Sequence, residues 1–265
     1  MPAHGSPGSS IAAVRDARPL VHNITNHVVM NSTANALLAL GASPVMAHAP
    51  DEVEELAAMA GALVINIGTL DQPWIAAMRL AALAAGRAGR PWVLDPVGAG
   101  ATGLRTRAAL GLLALGPSLL RGNASEILAL AGEAGDLTRG VDSTVGSEAA
   151  AQAATALAQR AGCVVAVTGA VDLVTDGSRM LRIANGHPMM TRVTGTGCTA
   201  SALAGAFLAA LPDPLVATAH GLAMLGLAGE RAARGDVGPG LFQTRLLDEL
   251  YRLSPAELDE GARIS

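Results

Sequence analysis

The chain has 265 residues, of which 51% are apolar, only 2% aromatic and 15% charged, with a formal net charge of −4. This length can bury the core of one large α/β domain, and the sparse charge offers no polybasic surface for nucleic acid. Ala, Leu, Val and Gly must fill the interior, which favours helices packed closely on a sheet and leaves room for an apolar interface between subunits.

Residues 1–19 read as a flexible extension that contains Gly, Ser and Pro and carries Arg15 and Arg18. They lack the long apolar centre of a signal peptide. No later stretch offers about 18 uninterrupted apolar residues, so no membrane span is expected. Two cysteines, Cys163 and Cys198, are too few for a disulfide scaffold or a cysteine metal cluster. A reducing cytoplasm is the expected location.

Leu20–Ile24 reads as a short strand. Asn26 or Asn31 is expected to cap the helix that follows to Leu40, Gly41 ends it, and residues 44–47 begin a second strand. The dense asparagines are either caps and turn formers or, for Asn26, a hydrogen-bonding contact to a small ligand. Met46 closes the second strand as a core residue or a ligand contact. Residues 51–59 predict a helix with Glu52, Glu54 and Glu55 on its wet side. Residues 62–68 (ALVINIG) predict a buried strand and a glycine turn. A helix over 71–85 would press Trp74, Met78 and Ala81 on the sheet. Residues 91–95 (PWVLD) are the next strand. This strand–helix rhythm signals a parallel sheet covered on both faces.

Asp95 follows its strand directly into a stiff loop, DPVGAGATG, so it either meets a ligand in the sheet crevice or serves as a turn residue. A strand over 118–122 and a helix over 123–132 come next, with Asn123 and Glu126 at capping-box spacing. Asp95 and Glu126 are also hard oxygen ligands of the kind Mg²⁺ uses together with water and phosphate oxygens. Residues 140–146 predict an exposed turn, and 147–161 an Ala-rich helix. Residues 163–169 (CVVAVTG) predict a central strand with Cys163 inert in the core and Thr168 at its end. Residues 171–175 and 180–183 predict an edge hairpin across Asp176-Gly177.

Residues 191–211 (TRVTGTGCTASALAGAFLAAL) run from a glycine turn into an apolar helix. Capping is expected from the Thr194 or Thr196 hydroxyl, with Gly195 and Gly197 supplying the turn. The open N–H groups of such a helix start, with its dipole, either form an anion site containing Thr194, Gly195, Thr196, Gly197 and Cys198 or belong to an ordinary capped helix. GTGC is not the P-loop pattern. Further helices are expected over 215–233, where His220 packs or hydrogen-bonds locally, and over 240–250. Residues 252–265 read as a polar tail.

In order along the chain, VHNITNHVVMNSTANALLALGASPVMAHAP, LVINIGTL, VLDPVGAGAT, RGNASEI, VAVTGAVDLVTDG and MMTRVTGTGCTASAL resemble the bacterial hydroxyethylthiazole kinases. The resemblance spans roughly 20–251. It implies one ribokinase-like domain, a three-layer α/β/α architecture with a mainly parallel sheet. It also implies phosphorylation of 4-methyl-5-(2-hydroxyethyl)thiazole in thiamine salvage, with ATP as co-substrate and Mg²⁺ as cofactor. On the matching positions, Asn26, Met46 and Gly195 would contact the thiazole. Arg121 and Thr168 would contact the nucleotide, Asp95 and Glu126 would organise Mg²⁺ and phosphate, and Cys198 would lie by the alcohol. The same resemblance implies a homotrimer with sites at subunit boundaries. Transfer would be direct, with Cys198 mainly orienting the alcohol and accepting its proton late. A hydroxymethylpyrimidine kinase and a nucleotide sensor without turnover are the competing readings.

Overall fold

The computed structural model describes residues 5–133 and 143–265. Eight strands form one sheet in the order β2-β1-β3-β4-β5-β6-β7-β8. Strands β1 (Leu20–Ile24), β2 (Ser43–Met46), β3 (Ala62–Asn66), β4 (Trp92–Asp95), β5 (Leu119–Asn123) and β6 (Val164–Thr168) pair in parallel. The hairpin β7 (Asp172–Thr175) and β8 (Met180–Ile183) adds an antiparallel edge.

Strand β3 is buried at every position and β4 likewise, as unbroken apolar runs in a doubly covered parallel sheet must be. Alternation within each strand divides the side chains between two cores. Val64, Val93, Ala166 and Val174 face a layer formed by α1 (Pro7–Ala17), α2 (Met30–Leu40), α8 (Thr196–Ala210), α9 (Pro214–Ala232), α10 (Pro239–Arg252) and α11 (Pro255–Gly261). Leu63, Ile65, Trp92, Leu94 and Val165 face the layer of α3 (Val53–Met59), α4 (Gln72–Arg87), α5 (Gly103–Leu113), α6 (Ala124–Glu133) and α7 (Ser143–Ala161). Trp74, Met78 and Ala81 are buried in that second core, on the face expected from their spacing.

Four expectations need correction. Residues 7–17 are not a flexible extension. Ser6 caps α1 by accepting from Ser9 N–H, Pro7 starts it, and Ile11 and Val14 are fully buried. The polar tail is also ordered: Ser254 and Glu257 form a capping box for α11, and Ile264 bridges to Ile183 on β8. Helix α5 has no counterpart in the expected elements. Finally, α2 begins at Met30 after Val29, with no side-chain cap from Asn26 or Asn31. The expected turn beginning at Gly140 lies outside the described residues as far as residue 142.

The chain's first helix is tied to the last. Gly8 N–H donates to Asp259 Oδ1 at 2.6 Å and the Ser6 hydroxyl to Asp259 Oδ2 at 3.0 Å. His220 on α9 meets the Ser10 hydroxyl of α1 at 2.7 Å through Nδ1, a bond to a residue distant in the chain where packing or a local hydrogen bond was expected. Burial lowers the His220 pKa to about 4, against the opposing pull of Asp259. The folded state therefore binds this proton less readily than the unfolded chain, whose histidine titrates near 6.5. Stability from this source is complete above about pH 6.5 and is lost as pH falls towards 4. We expect a loss on the order of 2 kcal/mol across that window, discounted for partial exposure. In the His220→Gln variant, urea unfolding between pH 7.5 and 4.5 should show a shallower pH slope. An identical slope in both proteins would exclude His220 as the source.

Candidate active site

In a parallel sheet, ligands gather beyond the carboxyl ends of the strands, at the point where the connections reverse direction. Here β1 leads outward to β2, and the chain then returns to place β3 on β1's other side. Asn26 follows β1, and Asn66 closes β3. Their side chains meet across that reversal, with Asn26 Nδ2 donating to Asn66 Oδ1 at 2.9 Å. Asn66 Nδ2 donates onward to Asp95 Oδ2 at the end of β4, at 2.8 Å. Both amides also donate to the Cys198 sulfur, Asn66 at 3.1 Å and Asn26 at 3.5 Å.

Asp95 is fully buried. Its Oδ2 accepts from Asn66 and from the Ser201 hydroxyl at 2.8 Å, and Arg121 Nη1 lies 3.8 Å away. Its Oδ1 has no hydrogen-bond partner. Burial raises the Asp95 pKa, the guanidinium of Arg121 opposes that rise, and Glu126 lies near enough to add to it. Glu126 spends one oxygen on Gly98 N–H and the other on Asn123 N–H, both at 2.9 Å, while Asn123 Oδ1 accepts from Glu126 N–H. The capping box read from spacing is thus present, and the same carboxylate ties down the loop after β4. Arg105 on α5 closes that loop from outside, donating to Ile67, Val97 and Gly68 carbonyls at 3.0, 2.7 and 2.9 Å.

Helix α8 starts without a side-chain cap. Its N-cap is Gly195 at φ +84°, a conformation that costs a residue with a Cβ, and a Cβ there would stand 2.7 Å from Val29. The Thr196 hydroxyl is turned back to the Met190 and Val193 carbonyls and does not cap, contrary to expectation. The first intrahelical bond to Gly195 comes from Thr199 N–H. The N–H groups of Thr196, Gly197 and Cys198 are therefore the helix's open donors.

Beside them lies a cavity of about 760 Å³. Arg121, Thr168, Gly195, Thr196 and Gly197 line its polar wall, and Met190, Leu222 and Leu225 contribute apolar surface. Arg121 Nη2 donates to the Thr168 hydroxyl. Cationic guanidinium, uncapped helix start and adjoining apolar wall suit a ligand that joins phosphates to a flat apolar group.

Most of the residues singled out from the sequence come together here, but not all. Asn26, Asp95 and Cys198 form one hydrogen-bonded group, while Arg121, Thr168 and Gly195–Gly197 form the cavity wall. Thr194 lines a neighbouring cleft with Ser32 and Ala36. Met46 sits half-buried on the edge strand β2, opposite Asn23. Although Cys198 lies in the first turn of a helix, burial and the Asp95 charge push its thiol up to about 11. Cys163, an inert core thiol, is pushed up to about 12 by burial.

Sequence reasoning missed Asn66, Ser201 and Asp172. Asn66 carried a usable signal, because it is a polar residue closing an otherwise apolar strand, as Asp95 is. Ser201 is an unmarked position in an Ala-rich helix. Asp172 lines the cavity, and burial raises its carboxyl to about 6 while Gly169 N–H bonds it at 2.9 Å.

The model of the hydroxyethylthiazole kinase family matches residues 11–256. The chain is 60% identical to a hydroxyethylthiazole kinase of Granulibacter bethesdensis over 96% of this chain and 92% of that protein. It is 52% identical to one from Pyrococcus furiosus over 98% and 97% of the two chains. A solved hydroxyethylthiazole kinase from Pyrococcus horikoshii superposes with a TM-score of 0.91 at 49% identity, covering 98% of each chain. Pyridoxal kinase from Staphylococcus aureus shares the fold alone, with a TM-score of 0.60 at 18% identity over 77% of this chain and 85% of that one. The ordered motifs, the three-layer architecture and these likenesses agree: the chain belongs to the hydroxyethylthiazole kinase family.

Proposed function

We propose that this protein transfers the γ-phosphoryl group of ATP directly to the primary alcohol of 4-methyl-5-(2-hydroxyethyl)thiazole, as a step of thiamine salvage. The observation that carries this reading is the placement of the uncapped α8 start. It is shared between a cavity with Arg121 on one side and the Asn26–Asn66–Cys198 group on the other. A phosphoryl group held at that helix start would lie between a nucleotide in the cavity and an alcohol beside the thiol.

Arg121 then neutralises phosphate charge through a directional guanidinium contact, with Thr168 fixing its orientation. The open N–H groups of residues 196–198 stabilise the charge that spreads over the transferring group. Asn26 holds the acceptor end through its place beside the thiol. The residues also fit a Mg²⁺ ion. Asp95 keeps one unpaired carboxylate oxygen, and the hard oxygen chemistry of Asp95 and Glu126 is what that ion takes. Glu126, with both oxygens engaged, would act through water. When bound, Mg²⁺ reduces repulsion among phosphate oxygens and orients the leaving group.

Mass analysis of the product tests the acceptor. With saturating Mg-ATP, kcat/KM for hydroxyethylthiazole should exceed that for hydroxymethylpyrimidine by more than tenfold, with one phosphoryl group gained per ADP formed. Preference for the pyrimidine would replace the assignment, and ATP binding without transfer would favour a sensor.

The thiol's raised pKa bears on the chemical step. Both sulfur lone pairs of neutral Cys198 already accept from amides, so early proton abstraction by this group is unfavourable. Phosphoryl transfer develops substantially before the alcohol's proton must leave. Cys198 therefore mainly orients the alcohol. Cys198→Ala should lower kcat by about 10- to 100-fold yet retain measurable transfer, at or below the low end of the loss expected for a true general base. Cys198→Asp should preserve or raise kcat. Complete loss of transfer in both folded, substrate-binding variants would point instead to a specific need for sulfur.

We further propose a homotrimer whose thiazole sites lie at subunit boundaries. Met46 belongs to the edge strand and makes no part of the Asn26–Cys198 group within its own chain. Val28, two residues after Asn26, is 70% exposed, and a neighbouring subunit at this boundary would cover it. Light scattering should give about three chain masses at working concentrations. A fully active monomer would eliminate the shared site. A cytoplasmic location completes this reading, in keeping with two free thiols and with the absence of any membrane-length apolar helix among the described residues.

A further inference from the structure

We infer that Asn66 is a positioning residue of the transfer step, fixing the Cys198 thiol of α8 at a set place relative to the Asp95 carboxylate of β4. This rests on the reading of Cys198 as the group that guides the alcohol. The Asn66 amide uses its whole hydrogen-bonding capacity. Its two Nδ2 protons go to Asp95 Oδ2 and Cys198 Sγ at 2.8 and 3.1 Å. Its Oδ1 accepts from Asn26 Nδ2 and from Gly68 N–H, both at 2.9 Å. The side chain is 1% exposed, so no water replaces a lost partner.

The direction of this amide is chemically forced. A carboxylate only accepts, so Asp95 demands the NH₂ group on one side. A backbone N–H only donates, so Gly68 demands the carbonyl on the other. Asn26 is oriented in the same sense, because Val28 N–H donates to its Oδ1 at 3.1 Å. Two amides with fixed direction therefore present only donors to Cys198. The thiol receives them on its lone pairs and keeps its own S–H for an incoming oxygen. Cys198 itself sits on the first turn of a helix uncapped by any side chain, so these donors are what fix its rotamer against the end of the sheet. No substrate contact is required of Asn66. It works through the two groups it joins.

The test compares Asn66→Ala and Asn66→Ser with Cys198→Ala and wild type. Loss of the amide should lower kcat at least tenfold while each KM, for ATP and for the thiazole, changes less than threefold. A second readout uses neither substrate nor metal: the rate of Cys198 alkylation by iodoacetamide, followed by peptide mass spectrometry. It should change at least threefold in both Asn66 variants, because the amide both places the sulfur and donates to it, while buried Cys163 stays unreactive. The serine variant is read by the same criteria if the alanine variant fails to fold. Wild-type kcat, unchanged Cys198 alkylation, or Cys163 reacting in step with Cys198 would overturn the positioning role, the last because it marks a loosened core. Wild-type kcat in Cys198→Ala would instead reject the guiding thiol and this inference with it. A lowered kcat there, beside unchanged kcat in the Asn66 variants, would reject only the inference.

Discussion

A carboxylate with no exposure to solvent dominates the energetics of this end of the sheet. Removing an ion from water costs several kcal/mol even after relaxation, and only well-placed partners offset it. Asp95 gathers those partners from three different elements, Asn66 from β3, Ser201 from α8 and Arg121 from β5, while the charge of Glu126 on α6 works against it. Because each partner is committed to Asp95, each also has its position fixed for other contacts. Arg121 faces the cavity from one side of the carboxylate, and Cys198 is held on the other. The cost of the buried charge is thus the means by which two separate binding regions are kept in register.

The start of α8 adds the opposite sign. Its open N–H groups and dipole favour an anion, and Arg121 beside them does the same. With Asp95 unexposed and opposed by Arg121, the part of the wall at the helix start is cationic in character, although the Asp172 carboxyl also lines the cavity. A phosphate chain entering there meets donors that need no rearrangement, which is the condition for electrostatic stabilisation to be effective in a transition state.

Much of this was legible in the sequence because parallel strands announce themselves as apolar runs, and the polar residue that ends each run marks the ligand-facing edge. Asp95 and Thr168 stand at such ends, and Asn66 closes ALVIN in the same way. The uncapped start of α8 was only half legible. GTG shows that a turn is needed, but whether a threonine hydroxyl caps the helix depends on where Met190 and Val193 place their carbonyls. The association of Asn26 with Asn66 was beyond reach from spacing, since it depends on the order of strands in the sheet. The N-terminal helix is hidden in the sequence because Gly, Ser and Pro crowd its first turn, although Ser6-Pro7 is also a helix-start pattern. Its burial comes from α8, α9 and α11, and it is tied to Asp259, 251 residues away, which no local pattern records.

That last contact has a bearing on how the chain matures during synthesis. Helix α1 is synthesised well before α8, α9 and α11, the helices it rests on. At 5–20 residues per second, roughly 13 to 50 seconds pass between the emergence of Gly8 and that of Asp259. Until α8 and α9 emerge, Ile11 and Val14 lack the helices that α1 packs on, and the tie to Asp259 closes later still. Closure of the helical layer waits on the meeting of the first helix with the last.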